Sequence, residues 1–131
     1  MEEKDLIFDW NVIDYEIKRN SSNHPHDVWF DDETLRDGLQ SPSARNPTID
    51  EKIELIDFME KLGIQKVDLG LPGAGPFHVK HIDSMLQHMT ENSYDLRPGC
   101  AVRTVVEDIK PLVDLQTKYD RQIQASAFLG T

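Results

Sequence analysis

The chain has 131 residues, and its net charge of −10 disfavours a nucleic-acid backbone or an anionic membrane surface as its partner. No apolar run approaches the roughly 20 residues of a membrane span, and the acidic start MEEKDLIFDW is unlike a signal peptide. Cys100 is the only cysteine, which excludes an internal disulfide and indicates a buried apolar residue, so we expect a single cytoplasmic domain.

Residues 1–27 are predicted to form an appendage to this domain. Apolar residues between Leu6 and Ile17 could pack as a short segment. The following stretch from Asn20 to His26 contains turn-forming residues without periodicity, which is typical of a linker. The domain proper is therefore predicted to span residues 28–131.

The first strand and the first helix have clear signals. The apolar run from Val28 to Phe30 predicts a buried strand. Thr48 and Glu51 have the spacing of a capping box, which predicts a helix start, and Gly63 has the position of a left-handed C-terminal residue. The apolar face of this helix is predicted to comprise Ile49, Ile53, Ile56 and Leu62.

The second unit repeats this pattern. Residues 67–71 predict a strand and residues 72–75 a loop. Pro76 suits the first turn of a helix, because the N–H that proline lacks would have no partner there. The apolar face of this second helix is predicted to comprise Val79, Ile82, Leu86 and Met89.

Two further strands flank a third helix. Residues 100–102 and 123–129 predict strands, and residues 105–119 predict a helix. Pro111 falls inside that helix, so we expect the helix either to kink at Pro111 or to begin close to it.

Alternating strands and helices predict a parallel sheet with right-handed crossovers. In sequential strand order, as in half of an eight-stranded barrel, every helix covers the same face of the sheet. We expect the other face then to expose apolar side chains, and a flavodoxin-like order would cover both faces. Periodicity does not choose between these two orders. The apolar side chains in question are Leu69, Leu71, Val102 and Phe128.

The stretch DETLRDGLQ, from Asp32 to Gln40, resembles the first-strand signature of the DRE-TIM metallolyase superfamily of TIM barrels. That superfamily includes 2-isopropylmalate synthases, homocitrate synthases, citramalate synthases and hydroxymethylglutaryl-CoA lyases. Three later stretches, KVDLGLPGAGP, CAVRT and SAFLGT, are similar to its second, third and fourth strands. The four motifs together are most similar to the 2-isopropylmalate-synthase-like members.

The resemblance implies the first four strands and three helices of a TIM (β/α)8 barrel. It also implies an acyltransferase of leucine biosynthesis, which condenses acetyl-CoA with a 2-oxo acid such as 2-oxoisovalerate. A divalent metal, Mg, Mn or Zn, would bind the 2-oxo acid, and the whole enzyme would be a homodimer.

The same resemblance assigns roles to the residues of the first motif. Asp37 would be a metal ligand, since hard cations prefer oxygen ligands at the carboxyl ends of strands. Arg36 would stabilise the oxyanion that develops during the reaction, and Gln40 would hold the substrate or the loop. We expect Gly38 to permit the tight turn that presents Arg36 and Asp37. A surface ion pair between Arg36 and Asp37 is the alternative interpretation.

Other polar residues have two interpretations each. Asp68 could line the metal pocket or cap a turn at the strand end, and Arg103 could face the pocket or anchor the cap of the next helix. Gly70, Gly73 and Gly75 indicate loop geometry more than close approach to a ligand. The linker histidines are rejected as a metal-binding pair, and a solvated helix face is expected for His78 and His81.

Two rival functions remain open from the sequence. One is lyase-type cleavage of an acyl-CoA on the same fold, and the other is a non-catalytic flavodoxin-like binding domain. Because the sequence supplies one carboxylate ligand and no late His-any-His pair, we expect residues 1–131 alone to have no synthase activity.

Overall fold

The computed structural model describes residues 29–129, which form four strands and three α-helices. Two short 3₁₀ turns, Gly38–Gln40 and Pro72–Ala74, follow the first and second strands. The elements are β1 (Asp31–Asp32), α1 (Ile49–Leu62), β2 (Lys66–Asp68), α2 (Pro76–Glu91), β3 (Arg97–Arg103), α3 (Val106–Tyr119) and β4 (Gln124–Phe128).

The four strands form one parallel sheet in the sequential order β1-β2-β3-β4. Its register pairs Asp32 with Val67 and Asp68 with Gly99. All three helices contribute side chains to one core cluster against this sheet. This is the architecture of a partial TIM barrel, and the sequential order shows that the flavodoxin-like alternative was wrong.

The core lies between the helices and one face of the sheet. Val67 in β2, Leu69 directly after β2, and Cys100 and Val102 in β3 occupy alternate positions, and all four are buried in this cluster. Our expectation that Leu69 and Val102 would lie on the bare face was therefore wrong, because strand alternation places them on the helix side.

The opposite face of the sheet is mainly polar or small. It carries Asp68, Gly99 and Ala101 at alternate positions, and Gly99 and Ala101 are in register with Gln124 and Ser126 of β4. Phe128 also follows this alternation and remains exposed. Leu71 is half-buried in the loop after β2. This face of the sheet is therefore more polar than the apolar face that we expected.

The predicted caps of α1 are confirmed. The Glu51 N–H donates to Thr48 Oγ1 at 3.3 Å, and the Thr48 N–H donates to Glu51 Oε2 at 2.8 Å. Gly63 ends the helix with a φ of 74°. Leu62 is 78% exposed, so it does not belong to the buried face as predicted, whereas Ile56 is fully buried.

The two later helices begin near the predicted residues. Pro76 occupies the first turn of α2, and the buried residues of this helix include Ile82, Leu86 and Met89. α3 begins at Val106 and continues through Pro111, so the helix does not begin at the proline. Pro111 leaves the carbonyl of Glu107 without its usual intrahelical donor.

The first strand differs from the prediction. β1 comprises Asp31 and Asp32, and the side chains of Trp29 and Phe30 are exposed, the latter by 65%. β1 is an edge strand among the described residues, so no further strand covers the side chains before it. The guanidinium of Arg97 lies 4.2 Å from the ring centroid of Trp29. Val28 and the predicted appendage lie outside the described residues.

Candidate active site at the carboxyl end of β1

The loop after β1 is a tight turn stabilised by backbone hydrogen bonds. The Thr34 N–H donates to Asp32 Oδ1 at 2.9 Å, and the N–H groups of Arg36 and Gly38 both donate to the carbonyl of Glu33. Gly38 has no positive φ, and a Cβ there would make only ordinary contacts from 3.8 Å outward. Gly38 therefore permits the turn, as expected, but another residue would fit this position as well.

Arg36 lies among three carboxylates. Its guanidinium forms an ion pair with Glu33, Nη1 lies 3.2 Å from Asp37 Oδ1, and Nε lies 3.4 Å from Asp68 Oδ2. Burial opposes the charge of Arg36, but these carboxylates outweigh burial and raise its pKa. Arg36 is thus a permanent, half-buried cation, and the contact with Asp37 is one part of a larger cluster.

Asp68 connects the end of β2 to this cluster. Its carboxylate is almost fully buried, and the Gly70 N–H donates to Oδ1 at 2.9 Å. Gly70 has a φ of 138°, a conformation that favours glycine and that brings this N–H to the carboxylate. Burial raises the pKa of Asp68, and the Gly70 N–H and Arg36 oppose that rise. Oδ1 thus caps the turn at Gly70, as one interpretation predicted, while Oδ2 faces Arg36.

Asp37 presents a carboxylate that fits a hard divalent cation. Its side chain is 65% exposed, and the contact with Arg36 involves Oδ1 at 3.2 Å. Oxygen donors of this kind suit Mg and Mn and are accepted by Zn. Within residues 29–129 no group of three or more His, Cys, Asp and Glu side chains could hold a metal ion. Asp37 could therefore supply one ligand of such a cation, and further ligands would have to come from outside residues 29–129.

A cleft of about 320 Å³ opens beside Arg36 and Gln40. Lys52, His78 and His81 also line this cleft. The two histidines are half-buried, so the expectation of a solvated face was wrong. The sequence analysis missed Lys52. Its position between Ile49 and Ile56 falls on the apolar stripe of α1, which could have indicated a buried lysine.

Arg103 is separate from the cleft beside Arg36. Its Nε and Nη2 donate to Asp108 at 2.9 and 2.7 Å, and its backbone N–H donates to Asp108 Oδ2 at 3.0 Å. Asp108 lies in the first turn of α3, so Arg103 anchors the cap of that helix, as one of the two interpretations predicted. Arg103 lines a different groove, of about 630 Å³, between α2 and α3.

Cys100 is fully buried in β3, as predicted. Burial and the nearby Asp68 carboxylate raise the pKa of its thiol, which disfavours the nucleophilic thiolate. The linker histidines His24 and His26 lie outside the described residues. The structure thus brings Arg36, Asp37 and Asp68 into one cluster. Arg36 also lines the cleft together with Gln40, whereas Arg103 and Cys100 lie outside both the cluster and the cleft.

A family comparison covers most of the described chain. The HMGL-like family matches residues 27–127. The chain belongs to the HMGL-like family. Its members are DRE-TIM pyruvate-carboxyltransferase-type domains, so the family assignment from the four motifs is confirmed.

Individual relatives of this HMGL-like chain are 2-isopropylmalate synthases. The enzyme of Crocosphaera subtropica is 33% identical over 89 residues, which cover 68% of this chain and 16% of the relative. The enzyme of Vibrio parahaemolyticus is 30% identical over 101 residues, covering 76% and 18%. The enzyme of Streptococcus gallolyticus is 38% identical over 82 residues, covering 63% and 15%. The chain thus matches less than a fifth of the length of each of these relatives.

No solved structure matches the chain. Between residues 29 and 129, none of the helices combines the length and the apolar character that a membrane span requires. The family and its fold therefore rest on the family match, the curated relatives and the strand order.

Proposed function

We propose that this chain contributes part of the active site of a 2-isopropylmalate-synthase-like enzyme, which condenses acetyl-CoA with a 2-oxo acid. The observation that carries the proposal is the position of Arg36. This half-buried guanidinium lies directly after β1, beside the exposed carboxylate of Asp37, and its Nε faces Asp68 Oδ2 at 3.4 Å without a regular hydrogen bond. The similarity to 2-isopropylmalate synthases supports the same reaction class.

Arg36 would stabilise negative charge that develops on the substrate. A condensation of this kind moves charge onto the ketone oxygen of the 2-oxo acid as the carbon–carbon bond forms. A guanidinium offers donors in a fixed fork and stays charged at every working pH, which suits an oxyanion. The three carboxylates around Arg36 hold the fork in place before substrate arrives, so the donors need little reorganisation.

Asp37 would hold a divalent metal together with ligands outside residues 29–129. When bound, such a metal acts as a Lewis acid that polarises the ketone of the 2-oxo acid. Asp68 stays buried behind Arg36 and orients it, and Gln40 lies at the edge of the same cleft, within reach of a ligand there. The wider proposal, by resemblance, is a cytoplasmic homodimer of leucine biosynthesis.

Activity measurements on a protein with the complete barrel test this proposal. Acetyl-CoA would be supplied with a panel of 2-oxo acids, including 2-oxoisovalerate, and release of free CoA would be followed. We expect turnover with at least one 2-oxo acid. Cleavage of a hydroxyacyl-CoA without any condensation would instead assign the chain to a lyase.

Calorimetric titration of a divalent metal into the protein with the complete barrel separates the role of Asp37 as a ligand from general charge effects. We expect Asp37→Asn to weaken metal binding by about tenfold or more, because it removes a charged oxygen ligand. Asp32→Asn is the matched control, since it changes charge equally at the same strand end and its Oδ1 can still accept from Thr34. Equal metal affinity in wild type and Asp37→Asn would remove Asp37 from the ligand set.

A further inference from the structure

The cleft beside Arg36 is lined by basic but not by acidic side chains, although the chain carries a net charge of −10. Its polar lining comprises Arg36, Gln40, Asn46, Lys52, His78 and His81, and no described residue that lines it is Asp or Glu. Acidic residues outnumber basic residues by 24 to 14 in this sequence, so a lining without carboxylates differs from the rest of the chain. The three carboxylates that pair with Arg36 lie outside this lining. A surface of this kind concentrates anions.

Lys52 is the most unusual member of this lining. It is only 4% exposed, and within residues 29–129 its ammonium forms no hydrogen bond or ion pair. Burial lowers the pKa of Lys52. Burial of the Lys52 side chain opposes the charge of its ammonium, and no carboxylate in the described part of the chain offsets that cost. Its ammonium is available to an anion that enters the cleft.

His81 adds a second nitrogen without a partner. Its Nδ1 is buried and has no hydrogen-bond partner in the described structure. Burial, together with the charges of Lys52, His78 and Lys80, lowers the pKa of His81. The ring of Phe77 lies 4.2 Å from that of His81, centroid to centroid, and packs against it. His81 therefore lies close to several basic side chains, and among the described residues its Nδ1 is still free to donate or accept a hydrogen bond.

We propose that Lys52, His78 and His81 form a binding subsite for the anionic group of a small organic molecule, a carboxylate or a phosphate. His78 lies in the first turn of the 16-residue helix α2, where the helix dipole adds partial positive charge. The rest of the cleft is largely apolar, including Leu35, Leu69 and Ile82, which suits the carbon body of such a ligand. This binding does not depend on the condensation reaction proposed above.

Calorimetry on the purified protein tests the subsite with two simple probes, inorganic phosphate and acetate, at constant ionic strength. We expect one of the probes to bind, and the tighter one to indicate whether the ligand group is a phosphate or a carboxylate. Lys52→Met should raise the Kd of that probe by about tenfold or more, because it removes a charged donor. Lys61→Met is the matched control, since it makes the same change on the exposed side of α1 and should leave the Kd unchanged.

Histidine NMR gives a readout that a purely structural role would not affect. We expect the ring resonances of His81 to shift on addition of the bound probe, while those of His88, whose Nε2 is held by Asp57 at 2.7 Å, stay in place. His81→Gln assigns the signals and should also weaken binding, which keeps the test valid if Lys52→Met fails to fold. The proposal would be overturned if neither probe binds. It would also be overturned if folded Lys52→Met binds the probe as tightly as wild type does.

Discussion

The carboxylate of Asp108 packs directly against the backbone of Gly73. A Cβ atom at residue 73 would lie 2.1 Å from Asp108 Oδ1, a distance at which atoms overlap. Asp108 is fully buried there and holds Arg103 through both Nε and Nη2. Gly73 is therefore required by the close approach of the Asp108 carboxylate, and not by a positive φ as expected from loop geometry.

Gly73→Ala should displace the Asp108 carboxylate and destabilise the fold. Overpacking of this kind typically lowers the free energy of unfolding by roughly 1–3 kcal/mol. Chemical denaturation of both proteins measures the difference. Gly38→Ala is the control, because its added methyl group meets ordinary contacts, and we expect a change within about 0.5 kcal/mol. A stable Gly73→Ala variant would show that Asp108 can leave Gly73 at little cost.

Asp108 should make the stability of the fold sensitive to acid. Hydrogen bonds from the Arg103 side chain and from its backbone N–H lower the pKa of Asp108 from 3.8 to about 2. The folded state therefore binds this proton more weakly than the unfolded chain does. The stabilising contribution is complete well above pH 3.8 and is lost as the pH falls through about 2.

Urea unfolding of wild type and Asp108→Asn across this pH range measures that contribution. We expect the variant to be less stable at pH 6 and the gap between the two proteins to narrow below about pH 4. Asp114→Asn is the control, because Asp114 forms only an exposed pair with Lys110 and its removal should have little effect at any pH. A gap that stays constant with pH would contradict the assignment.

Arg36→Lys should reduce turnover by the complete enzyme while leaving its fold intact. Lysine keeps the charge but loses the fork, so we expect kcat to fall by roughly ten- to a thousandfold. Arg45→Lys is the control, since Arg45 makes a similar two-point contact with Glu51 away from the carboxylates of the site. An unchanged kcat with a raised KM would show that Arg36 only binds substrate.

Local signals predicted the helices well. The capping box of Thr48 and Glu51, the C-terminal Gly63 and the N-terminal Pro76 each act within one turn, so the sequence alone determines them. The family assignment likewise followed from four short motifs, each of which consists of neighbouring residues. Features of this kind need no knowledge of which elements pack together.

The faces of the strands and the cleft could not be predicted in the same way. β2 has only three residues, and so short a strand shows no clear alternation in the sequence. The sequence therefore could not show that Asp68 faces away from the helices and that Leu69, directly after β2, faces them. Lys52 and His81 come from different helices, and their shared cleft exists only once α1 and α2 pack against the sheet. Long-range packing decides these positions, and local propensity does not carry that information.

An apolar stripe remains exposed on α3. Val106, Ile109 and Val113 lie on one helix face and are exposed, Val106 by 72%. β4 lies at the edge of the described sheet, and its last residue Phe128 and the following Leu129 are also exposed. An open parallel strand beside uncovered apolar side chains is a surface that pairs readily with another chain.

We therefore expect residues 1–131 to self-associate when produced alone, through α3 and β4. Sedimentation velocity should show species larger than a monomer that grow with concentration, and a hydrophobic dye should bind. Val113→Lys places a charge in the stripe and should reduce both association and dye binding. Gln87→Lys adds the same charge on the exposed side of α2 and should leave them unchanged. A monomer at all concentrations that binds no dye would show that this apolar surface does not drive association.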